Sequence, residues 1–201
     1  DLVSFSEDID LAFIQEASLQ AKIPGVIPAD LQSVFAAGYR NADLETGVMT
    51  LSNGAPNSSC SLTALEPWLR TPKATSIAEY ALEGREDRLL AINLHAVNFD
   101  LGLQSLNRQL GALAGILLNH SGPVILAGDL NTWSVPRQSA VDDFMREHGL
   151  GSVTFEQDLR TTAFGHALDH IYVRGLHAES ARVIPVSTSD HNPLRVRLAL
   201  F

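Results

Sequence analysis

The strongest constraint lies between Arg88 and Asp129, where the hydrophobic period changes twice. Arg88-Leu89-Leu90-Ala91-Ile92-Asn93-Leu94-His95 reads as a strand. Leu103, Leu106, Leu110, Leu113 and Leu117 then recur at spacings of three and four, the signature of an amphipathic helix. Asn119-His120-Ser121-Gly122-Pro123 stops it, and Val124-Ile125-Leu126-Ala127 is an apolar run suited to a strand buried on both faces. Strand, helix and strand in this order imply a parallel-type connection and an α/β class.

Further runs enlarge the sheet. Leu11-Ala12-Phe13-Ile14, ending in Gln15-Glu16, reads as a buried strand, and 34–36 and 47–52 as weaker ones. Lys73 to Leu82 is another strand, turned by Gly84-Arg85-Glu86-Asp87 into the Arg88 run. After Gly151 come Leu168 to Arg174, Ala178 to Val186, and Leu194 to Leu200. A second helix is expected over Gln138 to His148, with Ser134 near its cap and Gly149 as its stop. Pro24, Gly25 and Pro28 mark a loop, and 53–57 a turn. So many strands predict two packed mixed sheets flanked by helices rather than one wide sheet. A chain of 201 residues, 45% hydrophobic, is expected to form a single domain over 1–201.

Charge and cysteine content narrow the function. Fourteen Lys and Arg against twenty-three Asp and Glu give a net charge of −9, which argues against broad adhesion to nucleic acid or anionic lipid. No stretch is long and apolar enough to span a bilayer. The lone Cys60 excludes an intrachain disulfide, and no signal peptide is visible at Asp1-Leu2-Val3-Ser4-Phe5, so a cytoplasmic protein is expected. Trp68 and Trp133 read as packing residues, and 85–88 as a solvated turn.

The unusual polar residues fall at strand ends. Glu16, His95, and Asp129 with Asn131 sit where apolar strands finish, while Asp169 and Asp190-His191 sit where strands begin. If the latter strands run antiparallel to the former, all open onto one edge of the sheets, where α/β proteins hold ligands. Three Asp, one Glu, one Asn and two His suit a hard cation, Mg²⁺ or Mn²⁺, rather than a zinc-thiolate site. Positions i and i+2 of a strand share a face, so Asp129 and Asn131 are expected to address one water or phosphate while Leu130 packs behind. Each residue alone has an ordinary alternative: Gly128-Asp129-Leu130-Asn131 as a turn, His95 as a core-edge histidine, Asn98 as a helix cap. His166 with His170 lacks the Glu of a zinc helix, and no Gly-x-Ser-x-Gly elbow marks a serine hydrolase.

Taken in order, "FIQEA", "INLHAVN", "GDLN", "LDHIYV" and "SDHNPL" resemble the endonuclease/exonuclease/phosphatase superfamily, which includes pancreatic-type deoxyribonucleases, abasic-site endonucleases, neutral sphingomyelinases and inositol polyphosphate phosphatases. The longer runs "NLHAVNFDLG" and "HSGPVILAGDLNTWS" are similar to its bacterial YafD-like branch. The resemblance implies a four-layer α/β sandwich of the DNase I-like kind and a divalent-metal-dependent phosphoesterase, with nucleic acid among its substrate classes. It implies Glu16 and Asp190 as metal-site residues, and Asp129 with Asn131 as the pair that prepares water. His95 and His191 would contact phosphate, Asp169 would orient His191, and Asn98 would bind substrate. Members open with a strand carrying an Asn near the metal, and too few residues precede Leu11 to hold it, so a chain lacking that strand is expected. A non-catalytic phosphate-binding module with an incomplete metal site is the alternative.

Overall fold

The computed structural model describes residues 9–19, 31–100 and 102–201. The start of the chain and the expected loop at Pro24, Gly25 and Pro28 lie outside the described residues. The centre is a six-stranded sheet built from β4 (Ser58–Leu65), β5 (Pro72–Ala81), β6 (Arg88–Leu94), β7 (Val124–Asp129), β11 (Asp169–Arg174) and β8 (Gly151–Ser152), hydrogen-bonded in that order. β6 and β7 run parallel, and every other pair in that sheet is antiparallel.

Helices α1 (Gln104–Asn119) and α2 (Val135–Glu147) cover one face. Leu106, Leu110, Leu113 and Leu117 of α1 are buried with Ile92, Leu94, Leu126 and Tyr172 of the sheet, as the leucine spacing predicts. Against the other face pack β1 (Leu11–Ser18), β3 (Glu45–Ser52) and β2 (Gln32–Arg40), paired in that order, with Leu11, Phe13 and Val34 against Ala78, Tyr80 and Ala91. The pair β12 (Leu176–Val183) and β13 (Leu194–Leu200) joins this second layer, where Leu198 and Leu176 meet Ile125 and Ala127. Two short strands, β9 (Thr162–Ala163) and β10 (His166–Ala167), form a separate hairpin. This is the two-sheet α/β architecture expected, with helices on the flank.

Several boundaries differ from expectation for local reasons. β4 is absent from the sequence reading because Ser58, Ser59, Cys60 and Ser61 are all exposed on an edge strand and lack an apolar alternation. α2 starts at Val135 rather than Gln138, since Pro136 fits the first helical turn, where its missing N–H removes no helical bond. Ser134 holds the extended N-cap backbone but makes no side-chain cap bond. Trp68 is exposed rather than packed, at 69% of its surface, whereas Trp133 is half-buried.

The topology sets up one edge. β5 begins near Lys73, β6 ends before His95, β7 ends at Asp129, and β11 begins at Asp169 directly opposite Asp129. Gly128 lets these strands close: a Cβ there would lie 2.0 Å from the Leu94 carbonyl oxygen, and its φ of +149° is one that L side chains rarely adopt.

Candidate active site

The loop after β6 is held by buried polar side chains. Gln109 of α1 donates through Nε2 to the His95 carbonyl (2.9 Å) and accepts from the Val97 N–H (2.9 Å). The buried Glu66 carboxylate accepts from the N–H groups of Asn98 (2.6 Å) and Phe99 (2.9 Å). Arg137, also buried, donates through Nε to the Asn131 carbonyl (2.6 Å) and through Nη2 to the Val97 carbonyl, tying the loops after β6 and β7 together. Asn98 therefore does not cap α1, whose N-cap position is Leu103; the Asp100 carboxylate reaches its first turn, accepting from the Ser105 N–H at 2.7 Å.

Asp129 and Asn131 meet differently from the expected strand alternation. β7 ends at Asp129, and Asn131 turns into a left-handed conformation at φ +49°. That turn brings the Asn131 N–H to Asp129 Oδ1 (2.9 Å) and Asn131 Nδ2 to Asp129 Oδ2 (3.2 Å). Asn tolerates this backbone and bonds locally, so the turn alternative and the functional pair are the same structure. Asn131 Nδ2 also donates to the Ala96 carbonyl at 3.0 Å, and Leu130 is fully buried behind the pair.

Glu16 likewise departs from a plain strand end. It lies inside β1, in a bulge where Gln15 and Glu16 interrupt the pairing between Ile14 and Ala17, with φ +53°. A bulge re-aims a side chain, and Glu16 Oε1 comes within 4.0 Å of both His95 Nε2 and Lys73 Nζ while staying largely exposed. Gln15 of the same bulge donates to the buried Asn93 of β6 at 2.6 Å.

His95 is nearly buried. Its Nε2 accepts from Lys73 Nζ at 2.7 Å and stands 3.5 Å from Asp129 Oδ2. Burial, reinforced by the charges of Lys73 and His191, pushes its pKa down to about 3. It is neutral at pH 7, so the approach to Asp129 is a polar contact and not an ion pair. Burial, and then the like charge of Asp169, pushes Asp129 up to about 6.

His191 completes the edge from the loop before β13. Its Nδ1 donates to Asp169 Oδ2 at 2.7 Å, and that hydrogen bond, opposed by burial and helped by the charges of Asp169, Asp129 and Asp190, raises it to about 9. Thr161 fastens the loop by donating to the Asp190 carbonyl (3.0 Å) and accepting from the Asn192 N–H (3.1 Å). The Asp190 residue is exposed. Among the described residues, no three His, Cys, Asp or Glu side chains stand close enough to cage an ion.

The structure thus gathers Glu16, His95, Asp129, Asn131, Asp169 and His191 at one edge. Asn98 joins them through Trp133, whose indole Nε1 donates to Asn98 Oδ1 at 2.9 Å. Two cationic or polar supports escaped the sequence reading. Lys73, a lone cation at the start of a buried strand, is the signal that points to the first. The second is a directed chain beneath Asp169: Arg160 Nη1 donates to His170 Nδ1 (3.1 Å), His170 Nε2 to Thr132 Oγ1 (2.7 Å), and Thr132 to the Ala167 carbonyl (2.5 Å). Burial and the Arg160 charge push His170 down to about 4, so it is neutral and carries this single tautomer.

A family model described as "Endonuclease/Exonuclease/phosphatase family" matches residues 2–191. The chain belongs to the endonuclease/exonuclease/phosphatase family. A UPF0294 protein of Klebsiella pneumoniae (strain 342) is 39% identical over 202 residues, covering 98% of this chain and 75% of its own length. Among solved structures, the mannosyl-6-phosphatase Bt3783 of Bacteroides thetaiotaomicron superposes with a TM-score of 0.73 at 15% identity, over 99% of this chain and 88% of that one. The human Nocturnin catalytic domain with bound sulfate gives 0.71 at 16% identity, over 100% and 83%. Both share the fold of this endonuclease/exonuclease/phosphatase member, whose family acts on phosphoester bonds and generally uses divalent metals. No helix among the described residues is long and apolar enough to cross a membrane.

Proposed function

We propose that this chain is a divalent-metal-dependent phosphodiesterase that hydrolyses its substrate by direct attack of water. One observation carries the reading: a buried Asp129, held by two hydrogen bonds from Asn131, stands directly opposite Asp169, whose carboxylate accepts from His191 Nδ1. Burial pushes Asp129 up to about 6, and the hydrogen bond to Asp169 pushes His191 up to about 9. Between those values the first is ionised and the second protonated, the pairing that base-assisted attack on a phosphate requires.

Asp129 takes the proton of the attacking water, and Asn131 fixes the carboxylate that receives it. His191, with Nδ1–H committed to Asp169, turns its Nε2–H to a phosphoryl oxygen. Lys73 adds positive charge beside the neutral His95, and Asn98 offers its amide at the mouth. The exposed Glu16 carboxylate, 4.0 Å from His95 Nε2, offers the hard oxygen that suits a cation of the Mg²⁺ type, which binds through one or two carboxylates and keeps several waters. Glu16 would be the principal ligand and Asp190 a supporting acid. Such an ion, when bound, neutralises charge on the phosphoryl group.

The absence of a three-ligand cage among the described residues favours a second reading, a phosphate-binding module without turnover. Assay of bis(p-nitrophenyl) phosphate with Mg²⁺ or Mn²⁺, before and after chelation, separates the two. Hydrolysis that stops on chelation and returns with metal supports the enzyme; calorimetric phosphate binding without turnover supports the module.

A further inference from the structure

We propose that Phe164 and Trp133 form a subsite at the mouth of the cleft that stacks a planar aromatic group, a nucleobase, carried on the phosphoester. This inference rests on the phosphoesterase reading and deepens it.

Phe164 occupies the tip of the β9–β10 hairpin, whose two turn residues both have positive φ, +51° for Phe164 and +83° for Gly165. Such turns favour Asn, Asp or Gly, and a bulky ring gains no local hydrogen bond there. Phe164 gains little from burial either, being 88% exposed. A large apolar side chain that is both strained and solvated has no role in stability, and strain of this kind gathers at functional sites.

Its ring contact is with the reaction centre's own wall. Phe164 meets Trp133 edge-on, with centroids 6.2 Å apart and planes at 69°. Trp133 lies two residues beyond Asn131, is hydrogen-bonded to Asn98, and stands 5.3 Å from the Arg137 guanidinium. Trp133 is therefore fixed, and the edge-to-face arrangement leaves a face of Phe164 open to solvent. Phe99, next to Asn98, is a further exposed ring, at 53% of its surface. A chain of net charge −9 gains little from a phosphate backbone, whereas stacking on an aromatic ring needs no positive charge.

The test is calorimetric binding of thymidine 5′-phosphate and ribose 5-phosphate, with Mg²⁺, to the full chain and to Phe164→Leu and Phe164→Tyr. The wild type is expected to prefer the nucleotide by about tenfold, the value of one stacked base. Phe164→Leu should abolish that preference without weakening ribose 5-phosphate, and Phe164→Tyr should keep it. Equal affinities in the wild type, or a preference surviving in Phe164→Leu, would overturn the subsite. So would a Phe164-dependent association with phosphatidylcholine vesicles without base preference, which would make the ring a lipid contact. If neither sugar phosphate binds while bis(p-nitrophenyl) phosphate is hydrolysed, the subsite falls and the phosphodiesterase reading stands. If binding and hydrolysis both fail, both fall.

Discussion

Replacing Asp169 by Asn should drop the pKa of His191 from about 9 toward its ordinary 6.5, because the leading cause of the rise is the hydrogen bond from Nδ1 to Asp169 Oδ2. The same substitution removes the like charge that helps raise Asp129 to about 6, so both groups should move down together. The energetic consequence has a definite sign. A histidine whose pKa is higher folded than unfolded stabilises the fold fully below about pH 6.5, and that contribution is lost as pH rises through about 9. One pKa unit corresponds to about 1.4 kcal/mol. The His191 side chain is a third exposed, and solvent screening leaves on the order of 1–2 kcal/mol of the full shift. Urea denaturation of wild type and Asp169→Asn at pH 6.5 and 9 reads the difference between the two proteins, in which titrating groups that do not feel Asp169 cancel and Asp129, mostly ionised across this range, adds little. Their stability gap should narrow by about 1–2 kcal/mol at the higher pH, and long-range ¹H–¹⁵N spectra should show His191 titrating alkaline only in the wild type. A wild-type His191 that titrates near 6.5, or one that stays near 9 in the variant, would refute the coupling.

Other perturbations probe the supports. Gly128→Ala should lower stability by about 3 kcal/mol in a denaturant melt, because the new methyl would meet the Leu94 carbonyl at 2.0 Å. His170→Phe strands the Arg160 and Thr132 partners and should cost about 2 kcal/mol, with kcat for a phosphodiester falling more than KM rises. Phe164→Asn should raise stability by about 1 kcal/mol, since Asn accepts the left-handed backbone more readily, while nucleotide binding weakens.

The sheet edge was legible because acids, amides and histidines interrupt apolar runs where chains must leave the core. His95 after Leu94, Asp129 after the run that ends at Ala127, and Asp169 before Ile171 each announce such an exit, and antiparallel pairing of Asp169 with Asp129 brings them together. Long-range geometry was not legible. The bulge that turns Glu16 depends on the register of β1 against β3, and the left-handed Asn131 depends on its bond to Asp129. Lys73 finds its role only once β5 lies beside β6, and Glu66 and Gln109 act on the backbone of a loop distant in sequence. The exposed ring of Trp68 contradicts its reading as a packing residue, and no local pattern announces that departure or the exposed ring of Phe164.

The most direct measurement of the central claim is the steady-state hydrolysis of bis(p-nitrophenyl) phosphate with Mn²⁺ by the wild type, Asp129→Asn and His191→Ala. Asp129 as base and His191 as protonated phosphate donor predict that kcat falls by about 10²–10⁴ in each variant. Metal-dependent turnover that persists undiminished in both would contradict it.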